Sequence, residues 1–412
     1  MTRIAVAGDI MFTRSIDKIA DVPRLAAIAD SLLGVDAAVA NLETPLHDYE
    51  HPPAHESGGT WLRGPRTTGA TIRELGFSAV ALANNHLGDY GAGAIHETLA
   101  TLRDAGLPGA GAGLNLSDAA APTAVAGVLS LVAGTTTFPA HSLATDELNG
   151  SASRPGVNGI TVPWWSILPD RLFEPMREIV VALGGDDGTD EVEFGRYIIR
   201  RGRAAGAGTE ADATDVDRIC AAVSDAAATG LPVVVSIHSH EGDGQEQNPS
   251  PALITIAHEA IDAGASIVSC HGPHRLRGVE FYRKRVIFYG LGSLIFQLRQ
   301  VTRLPAQQFT ATGLSPDATM DDLWARRHDY LAREAGRETM IGFCDVDERG
   351  DVTHCSAAAW VFDHVNHHHP DHGIPHAATA DELIRIADRL TQLSQPWGTQ
   401  ASVSGARLDL RP

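Results

Sequence analysis

Cysteine, aromatic side chains and positive charge are all scarce in this chain of 412 residues. Its four cysteines, Cys220, Cys270, Cys344 and Cys355, have no CxxC spacing, so they read as reduced packing residues. The cytoplasm is the compartment that this usage implies. Aromatics make up 6% while alanine and glycine abound, so packing is expected to be close and between small residues. Lys plus Arg number 32 against 51 Asp plus Glu, a formal net charge of −19. A surface of that sign repels phosphate backbones and excludes nucleic acid as the expected partner. No apolar run approaches the roughly 20 residues of a membrane span. The opening Met1-Thr2-Arg3 passes straight into an apolar strand without the pattern of a secretory leader. Neither membrane nor export is therefore expected.

What the chain does have is a series of apolar strands that stop abruptly at polar residues. Ile4–Ala7 runs into Gly8-Asp9; Ala37–Ala40 into Asn41-Leu42-Glu43; Val80–Ala83 into Asn84-Asn85-His86-Leu87-Gly88-Asp89. Leu231–Ile237 runs into His238-Ser239-His240, and Ser266–Ser269 into Cys270-His271-Gly272-Pro273-His274. Short runs of small and β-branched residues are the pattern of buried strands. In sheets flanked by helices, ligands bind at the rim where such strands end. Asp89 follows His86 by three residues, close enough to fix its tautomer. His240 either shares the face of His238 or points into the loop His47–Arg66.

Between these strands the pattern is helical over residues 22–34, 67–75, 94–105, 215–229, 251–263 and 381–393. The polar loop His47–Arg66 is long enough to be functional. From residue 135 to about 210 the βα alternation breaks at Pro139, Pro155, Pro163, Pro169 and Pro175, which predicts an insertion that covers or widens a site. Gly202–Ala213 reads as an exposed loop. Trp164, Trp165 and the stretch Tyr49–Arg63 are expected to wall a substrate groove. Residues 279–289 form a hairpin, 301–340 a loop and helix, and 340–346 with 352–362 terminal strands. Six histidines lie in Asp363–His376 and read as a solvated loop, with metal binding or a fold-back onto the site as the alternatives. The core is expected over 1–300, with 301–412 an extension completing the same domain.

Five strand ends thus bring carboxylate, amide and imidazole together without a thiolate. That mix suits a divalent ion such as Ca, Mn, Mg, Fe or Zn. As a set and in this order, Gly8-Asp9-Ile10-Met11, Asn41-Leu42-Glu43, Ala83–Gly91, Cys270–His274 and Phe288-Tyr289-Gly290-Leu291-Gly292-Ser293 resemble the CapA family. That family is the poly-γ-glutamate capsule protein group of the calcineurin-like metallophosphoesterases. The resemblance implies an α/β fold, the calcineurin-like metallophosphoesterase four-layer αββα sandwich with inserted covering segments. It also implies a first metal site from Asp9, Glu43 and His274. A second would take Glu43, Asn85, His238 and His271, with Glu43 bridging, and His86 would be the catalytic acid.

The chain departs from the parent superfamily at Met11, which stands where a metal-binding histidine is expected, as in other CapA-like members. The membrane anchor usual in capsule proteins is not expected here. With the first site weakened, Asp9–His274 and His86–Asp89 read as two His/Asp pairs beside one ion, with His240 a further catalytic candidate. Such pairs can serve opposite faces of a Cα, one taking a proton while the other gives one. The CapA-like group includes lasso-peptide epimerases. The expected function is therefore metal-dependent Cα-epimerisation of the C-terminal residue of a ribosomal precursor peptide, on a peptide or small acidic substrate. The alternatives are a metal-dependent hydrolase of a phosphoester or γ-glutamyl-type amide, and a non-catalytic binding protein.

Overall fold

The computed structural model describes residues 1–195, 197–242, 247–327 and 329–412. Two sheets lie face to face. The first runs in the order 400–404, 407–411, 352–361, 338–346, 2–11, 37–42, 79–81, 109–110. Ser293–Phe296 lies parallel to the end of Thr2–Met11, and His376–Ala377 pairs with Val352–Val361. The second sheet runs 279–282, 285–288, 267–271, 233–238, 129–135, 123–125.

Alternation within the strands explains the layering. In Val233–His238, Val234 faces the first sheet and joins a core with Ile4, Val6, Val39, Ile267 and Phe288. Val233, Val235 and Ile237 face the other way, onto Ile219 and Val223 of helix Ala213–Ala227 and Leu253, Ile256 and Ala260 of helix Pro251–Asp262. Helices Pro23–Ser31, Thr68–Glu74, Gly91–Ala105 and Ala380–Leu393 send Leu25, Ile28, Ile72, Ile95, Leu102, Leu383, Ile386 and Leu390 onto the first sheet. The layers are αββα, as expected. Local chemistry sets the helix starts: Asp212 and Ser250 accept from backbone N–H groups of the first turn, and Thr379 with Glu382 forms a capping box.

The central strands Thr2–Met11, Ala37–Leu42 and Ala79–Ala81 are parallel, as are Leu129–Thr135, Val233–His238 and Ile267–His271. Their C-terminal ends therefore carry Asp9, Glu43, Asn85, His238 and His271 to one rim. Gly8 decides how Asp9 is presented. A β-carbon at Gly8 would sit 1.8 Å from the carbonyl oxygen of Gly292, so only glycine allows the backbone of Ser293–Phe296 this close.

The interrupted stretch 135–210 is more regular than its prolines suggest. Helix Asp170–Ala182 packs on a four-stranded sheet of order 191–194, 197–202, 164–169, 206–209. Phe173, Val180, Val192 and Ile199 form a small core of their own there. The expected exposed loop 202–213 is corrected: Gly206–Thr209 is an edge strand paired with Trp164–Ile167, its missing side chains leaving room for the Trp165 ring. Arg200 lies 3.8 Å over that ring. Trp165 is thus packed within the insertion rather than turned to a groove, while Trp164 remains exposed. The terminal hairpin Gln400–Ser404 and Arg407–Arg411 has no counterpart in the sequence reading; its alternating polar residues resemble a loop. Among the described residues no helix is long and apolar enough to cross a membrane.

Two predictions follow from backbone and burial. Gly8→Ala should lower unfolding free energy by about 1–3 kcal/mol, the scale of overpacking. Gly206→Ala, with nothing within 4 Å of its β-carbon, should leave it unchanged in the same urea titration. His47 is fully buried, and burial pushes its pKa from 6.5 down to about 4, with Glu50 opposing. The unfolded chain then binds the extra proton. This contribution to stability is complete above pH 6.5 and is lost as pH falls towards 4, on the order of 3 kcal/mol. The stability of His47→Gln should fall less steeply than wild type across that window.

Candidate metal centre

Asp9, Glu43, His238 and His271 have essentially no exposed surface, and His86 and His274 keep only 6% and 8%. Asp9 is the hub. Its Oδ1 accepts from Asn41 Nδ2 at 2.9 Å and lies 3.2 Å from His271 Nδ1 and 3.7 Å from His238 Nδ1. Its Oδ2 accepts from the Gly272 N–H at 3.2 Å and lies 3.3 Å from His274 Nδ1. Burial works against charge on Asp9, but the three imidazoles more than offset it and hold the carboxyl well below its ordinary range. His238 is pushed by burial down to about 4, with Asp9 opposing.

His274 adopts φ 54°, a left-handed conformation uncommon for a side-chain-bearing residue, and Gly272 just before it has φ 121°. This tight turn brings two imidazoles, His271 and His274, to one carboxylate from a single strand end. Ser293 Oγ, 2.9 Å from His274 Nδ1, and Ser236 Oγ, 2.7 Å from His271 Nε2, orient the rings.

Several atoms here are left without ordinary partners. Both carboxylate oxygens of Glu43 are buried and accept no hydrogen bond; His238 Nε2 stands 3.5 Å from one and His274 Nδ1 3.9 Å from the other. Burial, with Asp9 and Asp89 nearby, pushes the Glu43 pKa well up. Asn85 donates from Nδ2 to the Gly58 carbonyl at 2.9 Å, but its buried Oδ1 has no partner. His238 Nδ1 and His271 Nδ1 face one another at 2.9 Å. Unsatisfied buried carboxylate and amide oxygens are costly. A cation among them removes that cost, and the N/O donor set fits a divalent metal ion.

The donors fall into three overlapping sets, each within 4.8 Å: Asp9, His238 and His271; Glu43, His238 and His240; Asp9, Glu43 and His274. The last matches the expected first site. His271 stands with Asp9 rather than with Glu43, and His238 serves two sets, offering Nδ1 to one and Nε2 to the other. His240 turns into the cluster, its Nε2 3.1 Å from His238 Nε2, not into the loop His47–Arg66. Asp9 is not reserved for His274, since it serves all these groups at once. Met11, in place of the superfamily histidine, joins an apolar cluster with Leu62, Phe296, Val301 and Trp324 beneath the rim.

His86 is held apart from these sets. Its Nδ1 lies 2.7 Å from Asp89 Oδ2. Burial raises the Asp89 pKa, against the opposing pull of His86. Asp89 also accepts from the Gly58 N–H at 2.9 Å and the Leu62 N–H at 2.7 Å, so one carboxylate fixes both the imidazole and the loop above it. Sequence reasoning passed over Asn41 and Asn84 as site residues. Asn84 donates to Leu42 O and Asn41 Oδ1, and its own Oδ1 receives the N–H groups of His86 and Leu87. Their place in the strand-end motifs was the available signal.

The structure is thus a four-layer αββα sandwich with a cluster of N and O donors at the rim where its parallel strands end. Residues 3–298 match the bacterial capsule synthesis protein family PGA_cap, and the chain belongs to that family. It is 26% identical to the uncharacterised protein y4sH of Sinorhizobium fredii over 98% of this chain and 91% of that one. It is 25% identical to the capsule biosynthesis protein CapA of Bacillus anthracis, over 71% of this chain and 59% of that one. Among solved structures, a 5′-nucleotidase precursor of Thermus thermophilus aligns with 11% identity and a TM-score of 0.38, over 96% of this chain and 58% of that one.

His271→Ala should release bound divalent metal, measured by atomic emission after gel filtration, because it deletes a donor beside Asp9. His86→Ala should retain the metal, since His86 belongs to none of the three sets, and should cost about 1–3 kcal/mol of stability because it leaves the buried Asp89 without its imidazole.

Proposed function

We propose that the chain is a metal-dependent acid/base enzyme acting on a peptide or small acidic substrate, and that it inverts a Cα centre. One observation carries this reading. His86 and His274 each combine a little remaining exposure with Nδ1 turned onto a buried aspartate, Asp89 at 2.7 Å and Asp9 at 3.3 Å. Each aspartate favours a tautomer that leaves Nε2 as the working nitrogen. One imidazole takes the Cα proton; the other, already protonated, delivers one to the opposite face. Asp89 and Asp9 stabilise whichever imidazolium forms. Glu43, Asn85, His238 and His271 would hold a divalent ion, with Asp9 and His274 beside it. Such an ion supplies positive charge that lowers the cost of an enolate-like carboxylate or carbonyl. His240 is proposed as a support to His238 at the same rim.

An acidic substrate is consistent with the loop above His86. Arg63 and Arg303 lie 4.4 Å and 5.1 Å from the centre of the Tyr49 ring; Arg63 is also paired with Asp48 at 3.0 Å, so Arg303 is the cation this edge offers to an anion. The loop is tied down by Asp89 below and by Gln307, which donates to His55 O.

A second reading, hydrolysis of a phosphoester or γ-glutamyl-type amide, is favoured by the set Asp9, Glu43 and His274, which provides donors for another ion. In that reading His86 protonates a leaving group and His274 is only a ligand. Incubating the metal-loaded protein with candidate peptides in deuterated water separates the two by mass. A gain of one deuterium per peptide at unchanged length is the expected result, and a shortened fragment refutes epimerisation. His86→Ala and His274→Ala should each slow deuterium uptake by about a hundredfold or more. Recovery of His274→Ala in excess metal would refute its role as a proton carrier.

A further inference from the structure

The geometry points to a separate metal site on the C-terminal side of the chain, formed by Asp321, His367 and His368 and suited to a borderline divalent ion such as Zn2+. These residues offer one carboxylate oxygen and two imidazole nitrogens, all within 4.8 Å of one another. His367 Nε2 lies 2.8 Å from Asp321 Oδ1, and His368 Nε2 lies 3.1 Å from the same oxygen and 3.2 Å from Oδ2. The six-histidine stretch is a largely exposed loop, as expected, and two of its rings converge on one carboxylate.

Two independent devices hold the donors ready. Asn366 Oδ1 accepts from the His368 N–H at 2.9 Å, and Gln300 Nε2 donates to His367 O at 3.1 Å, so the turn carrying both histidines is fixed. The two rings stand 4.1 Å apart, tilted by 38°, with both Nε2 atoms on the side of Asp321. Asp321 sits in the first turn of helix Met320–Arg326, whose start is locked by the capping box of Thr319 and Asp322. Preorganised donors lose little freedom on binding, which is what distinguishes a site from histidines that merely lie close. Two imidazoles and one carboxylate favour Zn2+, Co2+ or Ni2+ over Mg2+ or Ca2+, which prefer all-oxygen ligands. The site borders a cavity of about 430 Å³ lined also by Arg14, Arg299, Met320 and Trp324, which leaves room for water at the remaining coordination positions.

An ion here would fasten the segment 363–376 to helix Met320–Arg326. That segment also reaches the main centre: the Phe296 N–H donates to Gly373 O at 2.8 Å, and the Phe296 ring lies edge-on to His274 at 4.9 Å.

The test is equilibrium dialysis of the full chain, already loaded at the main centre, against Zn2+. Wild type should take up one zinc per chain more than the double variant His367→Ala/His368→Ala, and Asp321→Asn should bind that zinc roughly tenfold or more weakly, the lower scale of weakened ligation. All three positions lie near the surface, and circular dichroism checks that the variants remain folded. Cobalt substituted for zinc should give a visible absorption band in wild type that the double variant lacks. Equal zinc uptake by wild type and the double variant overturns the proposal. So does a loss of the extra zinc that follows His364→Ala/His369→Ala instead, since binding would then belong to the histidine-rich stretch at large.

Discussion

Asp9 is a carboxylate with no access to water, and burying it uncompensated would cost more free energy than a domain has to spare. Much of the rim can be understood as the answer to that charge. Three imidazoles, one side-chain amide and one backbone N–H converge on its two oxygens. They come from both sheets: Asn41 from the first, His238, His271, Gly272 and His274 from the second. The charge therefore does more than offer a ligand. It joins two sheets whose mutual face is otherwise apolar, at the one end where their parallel strands bring polar residues together. The left-handed backbone at His274 is a further cost that this concentration of contacts can sustain.

Much of this was legible beforehand because parallel strands bury both faces and must therefore be continuously apolar, so each polar stop stands out. Asp9, Glu43, Asn85, His86, His238 and His271 were visible as the residues at those stops. The βα alternation followed from the same runs and the amphipathic helices between them, whereas the four layers were implied by the family resemblance that the motifs carry. Which donors share a set was not legible. Whether His271 meets Asp9 or Glu43 depends on the register between strands and on the turn at Gly272, and those are long-range facts. Asn41 and Asn84 were hidden for a different reason: an amide does not show from sequence whether it binds a metal or, as here, hydrogen-bonds the groups beside it. Within the insertion the strand Gly206–Thr209 was read as loop because it carries almost no side-chain pattern, and Gly208 makes room for the Trp165 ring. In the six-histidine stretch, the exposure was legible from composition, but the turn that Asn366 shapes beside Asp321 was not.

The partner of His86 is also the anchor of the loop above it. Asp89 accepts from Gly58 and Leu62 with the same carboxylate that orients the imidazole, and Asn85 holds the Gly58 carbonyl. A β-carbon on Gly58 would fall 2.5 Å from Asn85 O, so the loop presses directly on the backbone that carries a ligand candidate and an acid/base candidate side by side. Loop position and the orientation of His86 are therefore one mechanical unit. The Tyr49, Arg63 and Arg303 edge belongs to that unit as well, which couples what sits at the rim to the imidazole below it.

The small sheet of the insertion has a consequence for how such a chain can be assembled. Where the chain leaves the main body at Thr161 and returns at Asp212, the two ends are already hydrogen-bonded, the Asp212 N–H donating to Thr161 O at 2.8 Å. The helix and four strands between close on a core of Phe173, Val180, Val192 and Ile199, and touch the main body through Val162, Thr209 and Ala211. Topologically it is a bud on a single stem. Excising residues 162–211 and joining the stem by a short turn leaves every strand of the two large sheets with its present neighbours. The body of the sandwich can therefore gain or lose this piece as a unit without re-threading.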